Sequence, residues 1–209
     1  MNRFYIITVM PKQVDVEAQR LSIAEAAIRV IGDGGLENAR LRDVARSAGV
    51  TTGAVTHYFD GKDEVLLAAL DEMVRRILEQ QTSLPSDMPS GEAVFEMACD
   101  ILPLDEASRT EWRVWLAFWG GAMGNERLRA RHRAYYVRIV DQLAESFSDL
   151  AGLSPEQANH LADAVVAAVD GVGARATLEP EHWPASRQRE TLATLLKPLL
   201  RPLDDANLS

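Results

Sequence analysis

Between Arg42 and Lys62 the chain reads RDVARSAGVTTGAVTHYFDGK, a stretch whose residue types suit the reading of a nucleic-acid groove. Thr52, Gly53, Thr56 and His57 are small or polar and fall on one side of a short helix that Thr51 can cap. A threonine donates to a base edge, accepts from one, or lays its methyl against that of thymine. Gly53 lets the backbone come close. Thr51, His57, Tyr58 and Lys62 are spaced to touch phosphates, and Arg42 joins them from the preceding helix. Lys62 also opens the next helix, whose free N–H groups favour an anion.

A second constellation lies downstream. Trp112, Trp115 and Trp119 recur at helical spacing, with Phe118 and Met123 nearby. Such rings either pack a core or hold a cation over their faces. Asp170 sits in the apolar run VVAAVDGVGA, where a carboxylate needs a partner: Arg175 in a structural salt bridge, or the positive charge of a ligand. His132, in RLRARHRA, reads as a polar residue on a solvated helix face. His57, Asp60, Asp63 and Glu64 could be drawn as a metal site, but the acids are better read as first-turn charges complementing a helix dipole, so no metal is expected.

The elements that must position these groups are helical. From Val14 onward apolar residues recur at helical spacing, and strand-like alternation is absent beyond the first ten residues, so the fold is expected to be all-α. A first helix over 15–33, stopping at Gly32, Gly34 and Gly35, precedes 41–48, a break at Gly49 and Val50, a short helix over 52–58, and a longer one from Gly61 to Gln81. Residues 82–91, TSLPSDMPSG, read as a loop, and five further helices follow at 91–102, 106–124, 126–151, 155–178 and 184–200, nine in all. The pair joined at Gly49 has the form of a helix-turn-helix, whose second helix enters the major groove. Ala54, Val55 and Phe59 are its inward residues. An N-terminal three-helix DNA-binding domain (12–60) and a larger C-terminal helical domain (61–209) for ligand binding and dimerisation are expected. The opening MNRFYIITVM is an ordering arm or the product of a start set too early, with Met10 the other candidate start.

Composition bounds the function. In 209 residues the net charge is −9, with −2 over 1–80 and −7 beyond. Over 38–64 four cations balance four acids, so DNA affinity must come from positioned hydroxyls, amides and a few cations rather than from a net field. One cysteine, Cys99, excludes a disulfide framework and multi-cysteine metal sites. The apolar opening is too short to span a bilayer, no export signal is apparent, and a cytoplasmic protein with no membrane partner is expected. No HExxH, GxSxG, P-loop or helical Glu-x-x-His pair for a di-iron site occurs, and neither an enzyme nor a cofactor is expected.

The segment LRDVARSAGVTTGAVTHYFDGKDEVLL (41–67) closely resembles the DNA-binding region of the TetR family of bacterial transcriptional regulators. The likeness is strong over 15–75 and weaker through WRVWLAFWGGAM and AVDGVGARATLEP, which are similar to the ligand-binding half of the BetI-like branch. It implies a dimeric repressor that binds a palindromic double-stranded operator and is released by a small-molecule effector, choline in the BetI-like case, held at Trp112, Trp115, Trp119 and Asp170. It also implies an interface built from Ala158, Leu161, Ala162, Val165, Ala168, Val169 and Val172 with Leu192, Leu195, Leu196 and Leu199; intramolecular core is the other reading of those faces. The chain departs from the family pattern at Arg40, where a Thr or Ser normally caps the helix, and at Thr56, where many relatives carry Tyr. The first costs about 1 kcal/mol. A dimeric helical binding module without DNA is the alternative class, and a gel shift with the chain's own upstream region separates the two.

Overall fold

A computed structural model describes residues 16–81, 90–151 and 153–205, so the opening segment with its two candidate starts and most of the 82–91 loop lie outside the described residues. Nine helices and no strand occur among the described residues: α1 (Val16–Asn38), α2 (Leu41–Ser47), α3 (Thr52–Tyr58), α4 (Lys62–Gln81), α5 (Ser90–Asp100), α6 (Glu106–Gly124), α7 (Glu126–Ala151), α8 (Pro155–Leu178) and α9 (Ala185–Asp205). The all-α expectation holds. No helix among them is long and apolar enough to cross a membrane.

The helix starts are set by local chemistry. Asp105 and Ser108 cap α6 reciprocally, the Asp105 carboxylate accepting from the Ser108 N–H at 2.8 Å, and Ser154 and Gln157 form the same box at α8, where Pro155 opens the first turn. The Asn125 side chain accepts from two N–H groups of α7. At α2 Arg40 supplies no side-chain cap; Asp43 in the first turn supplies the favourable charge instead and pairs with Arg46 at 3.3 Å.

The first helix breaks within the glycine cluster expected to stop it, at Gly35, whose φ of +73° is open to glycine at little cost, and a further helical turn continues to Asn38. Gly32 itself stays helical. A Cβ at Gly32 would stand 2.2 Å from Thr110 Cγ2, so this glycine lets α1 lie hard against α6.

α1 packs on α6 and α4, α7 on α8, and α9 on α5 and α8, around one continuous core. Phe118, Phe147, Leu66, Leu70, Leu143, Leu192 and Leu196 are wholly buried in it. Cross-ties hold the layers in register: Arg131 grips the Asp71 carboxylate at 2.8 and 2.9 Å, the Gln142 amide donates to the Leu78 carbonyl at 2.7 Å, and Arg189 grips Glu96 at 2.7 Å. Cys99 is buried, and desolvation pushes its thiol up to about 11, so it is an inert packing residue.

Candidate nucleic-acid interface and effector cavity

The turn between α2 and α3 is closed by Gly49 at φ +69° and by the Val50 N–H donating to the Ala45 carbonyl at 3.0 Å. Thr51 caps α3, its hydroxyl oxygen accepting from the Ala54 N–H at 3.1 Å, which leaves the hydroxyl proton for an outside acceptor. Val55 and Phe59 are buried and Ala54 half-buried, so the inner face of α3 is the expected one. Thr52, Gly53, Thr56 and His57 all stand exposed on the other side. The Thr56 hydroxyl donates back to the Gly53 carbonyl at 3.1 Å, which fixes its rotamer and turns its lone pairs and methyl outward. Tyr58 and Lys62 are half-buried at the far end of this surface, and Arg42 is largely exposed on α2.

Arg20 on α1, unremarked in the sequence, holds this unit together. Its guanidinium donates to the Tyr58 carbonyl at the end of α3, lies 4.3 Å over the Phe59 ring, and pairs with Glu64 at 3.7 Å. Glu64 in turn accepts from the Asp60 N–H, which explains this acid as a fastening of α4 to the turn rather than a metal ligand.

Behind these helices lies a cavity of about 200 Å³ bounded by α4, α5, α6, α7 and α8. Trp112, Trp115, Tyr136 and Asp170 line one part of it, and Arg76, Asp100, Ser108 and Glu111 another. The Tyr136 hydroxyl accepts from Trp115 Nε1–H at 3.3 Å and donates to the Asp170 carboxylate at 2.7 Å. Desolvation raises the Asp170 carboxyl to about 6 against the lowering effect of that hydrogen bond, and burial likewise pushes Tyr136 up.

Three expectations fail here. Arg175 does not answer Asp170; it pairs with Glu179 at 3.9 Å and lies 4.6 Å over the Trp183 ring. Residues five apart on a helix point about 140° away from each other. Trp119 is half-buried and does not line the cavity, because seven residues carry it about 10 Å along α6 from Trp112. Its buried Nε1 has no hydrogen-bond partner among the described residues. His132 is not on a solvated face: it is half-buried and stacks on Tyr136 at 4.4 Å, and burial lowers its pKa. Of the other aromatic-stripe residues, Phe118 is core and Met123 is exposed.

The expected interface faces divide. Ala158, Ala162, Val165, Val169, Val172, Leu192 and Leu196 are buried within the single chain, and Leu161 and Ala168 are partly buried against the core. Leu195 and Leu199 stay exposed on α9, and α8 turns Ala167, Gly171 and Leu178 outward.

Comparison with known proteins gives this geometry its context. Residues 23–69 match the family of bacterial regulatory proteins of the tetR type, and residues 90–201 match the C-terminal domain of BetI-type transcriptional repressors. The chain belongs to the TetR family of transcriptional regulators. The TetR-family chain is 31% identical to the HTH-type regulator PksA of Bacillus subtilis, over 82% of this chain and 84% of that one. It superposes on a Rhodococcus transcriptional regulator with a TM-score of 0.77 at 30% identity, covering 87% and 96% of the two chains. A regulator from Saccharomonospora viridis, solved in complex with choline, gives a TM-score of 0.72 at 25% identity over 87% and 96%. This TetR-family protein is therefore a ligand-responsive, DNA-binding transcriptional regulator and not an enzyme.

Proposed function

We propose that the chain acts in the cytoplasm as a homodimeric one-component repressor of a palindromic operator, relieved by a small organic cation. The DNA-binding domain is assigned to 12–60, of which 12–15 lie outside the described residues, and the effector domain to 61–209. Arg42, Thr51, Thr52, Gly53, Thr56, His57, Tyr58 and Lys62 form the DNA face, with α3 in the major groove and the partner subunit's α3 about 34 Å away.

The observation that carries the effector assignment is Asp170: a half-buried carboxylate in a cavity, hydrogen-bonded by Tyr136 and without an ion-pair partner among the described residues. A cation beside it supplies the missing charge. Trp112 and Trp115 offer ring faces worth about 0.5–2 kcal/mol each to an ammonium group. That the Saccharomonospora viridis regulator was solved with choline supports a quaternary ammonium as the class to test first.

The experiment has two arms. Choline and tetramethylammonium are added during thermal unfolding, and the apparent Tm is expected to rise with their concentration but not with sodium chloride. Gel shift with the chain's own upstream region is expected to give specific retardation that the same cations relieve. Retardation without any cation effect overturns the effector assignment; no retardation at any natural promoter supports a binding module without DNA.

A further inference from the structure

We propose that Arg76 couples the effector cavity to the DNA-binding helices, with Glu25 on α1 as the receiving end. This rests on the reading of the cavity and of the DNA face given above. Arg76 lines the cavity from α4 and divides its guanidinium among three helices. Nε donates to Glu72 on α4 at 2.7 Å, Nη1 to Glu111 on α6 at 3.1 Å, and Nη2 to Glu25 on α1 at 3.1 Å. The planar guanidinium sends its donors from three separate nitrogens in fixed directions, one toward each helix, where an ammonium would have to reach all three carboxylates from a single nitrogen.

α1 carries both ends of the link. Five residues before Glu25 on the same helix, about 7.5 Å along its axis, Arg20 grips the Tyr58 carbonyl and the Phe59 ring at the end of α3. A displacement at Glu25 is thus delivered to the recognition helix by one rigid element. A further α1 contact, Gly32 against Thr110 on α6, is tight and includes no charge, so it does not respond to an ion in the cavity.

The hub is built to yield on one side. Glu72 is buried and is held independently by Arg75, through Nε and Nη2 at 2.8 Å each, so it keeps a cationic partner when Arg76 moves. Glu25 and Glu111 are each about two-fifths exposed and can exchange their bond to Arg76 for water. A cation in the cavity repels the Arg76 guanidinium and attracts Glu111, which lines the same space. The repulsion displaces the guanidinium to which Glu25 is bonded, and the loss of Glu111 removes the tie that holds it in place.

The test measures coupling apart from binding. A duplex selected from a random pool by the wild-type chain is titrated, by fluorescence anisotropy, with protein at zero and at saturating choline, and in parallel with tetramethylammonium. The ratio of the two apparent Kd values is the coupling factor, expected at about 5- to 150-fold for the wild type. Glu25→Gln, which breaks the Glu25 arm without any cation, is expected to reduce it to about 2-fold or less by bringing DNA affinity without cation down toward the cation-saturated wild-type value, while cation-induced thermal stabilisation persists. Arg76→Lys is expected to fall between the two. A folded Glu25→Gln variant that keeps wild-type coupling and wild-type DNA affinity, or that no longer responds to either cation in thermal unfolding, overturns the relay. A wild-type chain that ignores both cations, or that selects no duplex, overturns the functional reading itself and the relay with it.

Discussion

The six-membered ring of Trp112 occupies the space that a side chain would need at Gly173: a Cβ there would stand 2.1 Å from Cζ2 and 2.2 Å from Cη2. The indole is held from the other side as well, its Nε1–H donating to the Ile101 carbonyl at 2.7 Å. Gly173→Ala must therefore push the ring out of place in a packed wall. On an open helix the same change would stabilise by about 1 kcal/mol. Here it is expected to destabilise by about 1–3 kcal/mol, to shift tryptophan emission, and to weaken binding of quaternary ammonium ions. Urea unfolding with fluorescence detection checks it, and a more stable variant with unchanged emission would contradict the contact.

At the DNA face two substitutions should separate reading from anchoring. Thr56→Ala is expected to relax preference at one position of each half-site by about 1–3 kcal/mol, leaving affinity for other sequences unchanged. Lys62→Ala is expected to weaken all duplexes alike and to flatten the dependence of log K on log salt by about 1 per phosphate lost. Binding measured across operator variants and salt concentrations distinguishes them. The face assignment fails if both folded variants bind as the wild type does.

Arg20 lies outside the residues assigned to the DNA face, yet it secures the end of α3 through the Tyr58 carbonyl and Phe59. Arg20→Ala leaves that carbonyl without its partner and frees the recognition helix to shift. DNA affinity is expected to fall about 10-fold or more, which is 1.4 kcal/mol, while cation-induced stabilisation persists. Anisotropy and thermal unfolding report the two separately.

Asp170 makes stability and ligand binding depend on pH in opposite senses. Its folded pKa of about 6 lies above the unfolded value of 3.8, so its contribution to the stability of the empty protein is full below about pH 4 and is lost as pH rises through 6. Asp170→Asn is thus expected to stabilise the empty protein at pH 7.5 by about 1–2 kcal/mol and to leave it unchanged at pH 4. Cation affinity should instead rise with pH through about 6 in the wild type and be weak and flat in the variant. Calorimetric titrations from pH 5 to 8 test both slopes.

With most apolar residues of α8 and four of the six α9 leucines committed to the core, the exposed apolar surface of α8 and α9 proposed for the partner subunit bears Leu195 and Leu199, 47% and 46% exposed, with Ala167, Gly171 and Leu178. Leu195→Glu combined with Leu199→Glu is expected to halve the mass in sedimentation equilibrium and to abolish operator binding while each chain stays helical. A dimer that survives the pair places the interface elsewhere.

Much of the fold was legible because it is written in local chemistry. The starts of α6, α7 and α8 follow from Asp105, Asn125 and Ser154 with Pro155, whose caps act within four residues, and the ends of α2 and α3 follow from Gly49 and the apolar spacing of Val55 and Phe59. The exposed set Thr52, Gly53, Thr56 and His57 was legible for the same reason: helical period alone decides which side of a seven-residue helix faces out. His132 could have been placed correctly too, since it shares a stripe with Tyr136, Ile139 and Leu143, all of which line the cavity.

What sequence alone determined, then, was where each helix begins, which face it buries, and that two short helices meet at a tight turn, since those depend on neighbours along the chain. Tertiary structure decided which partners meet across it: Asp170 with Tyr136 rather than Arg175, Trp112 with Gly173, Arg20 with Tyr58, and Arg76 with Glu25. These pairs are 34 to 61 residues apart. Spacing along the chain carries no signal over such distances, because the side chains are brought together only by how the helices pack.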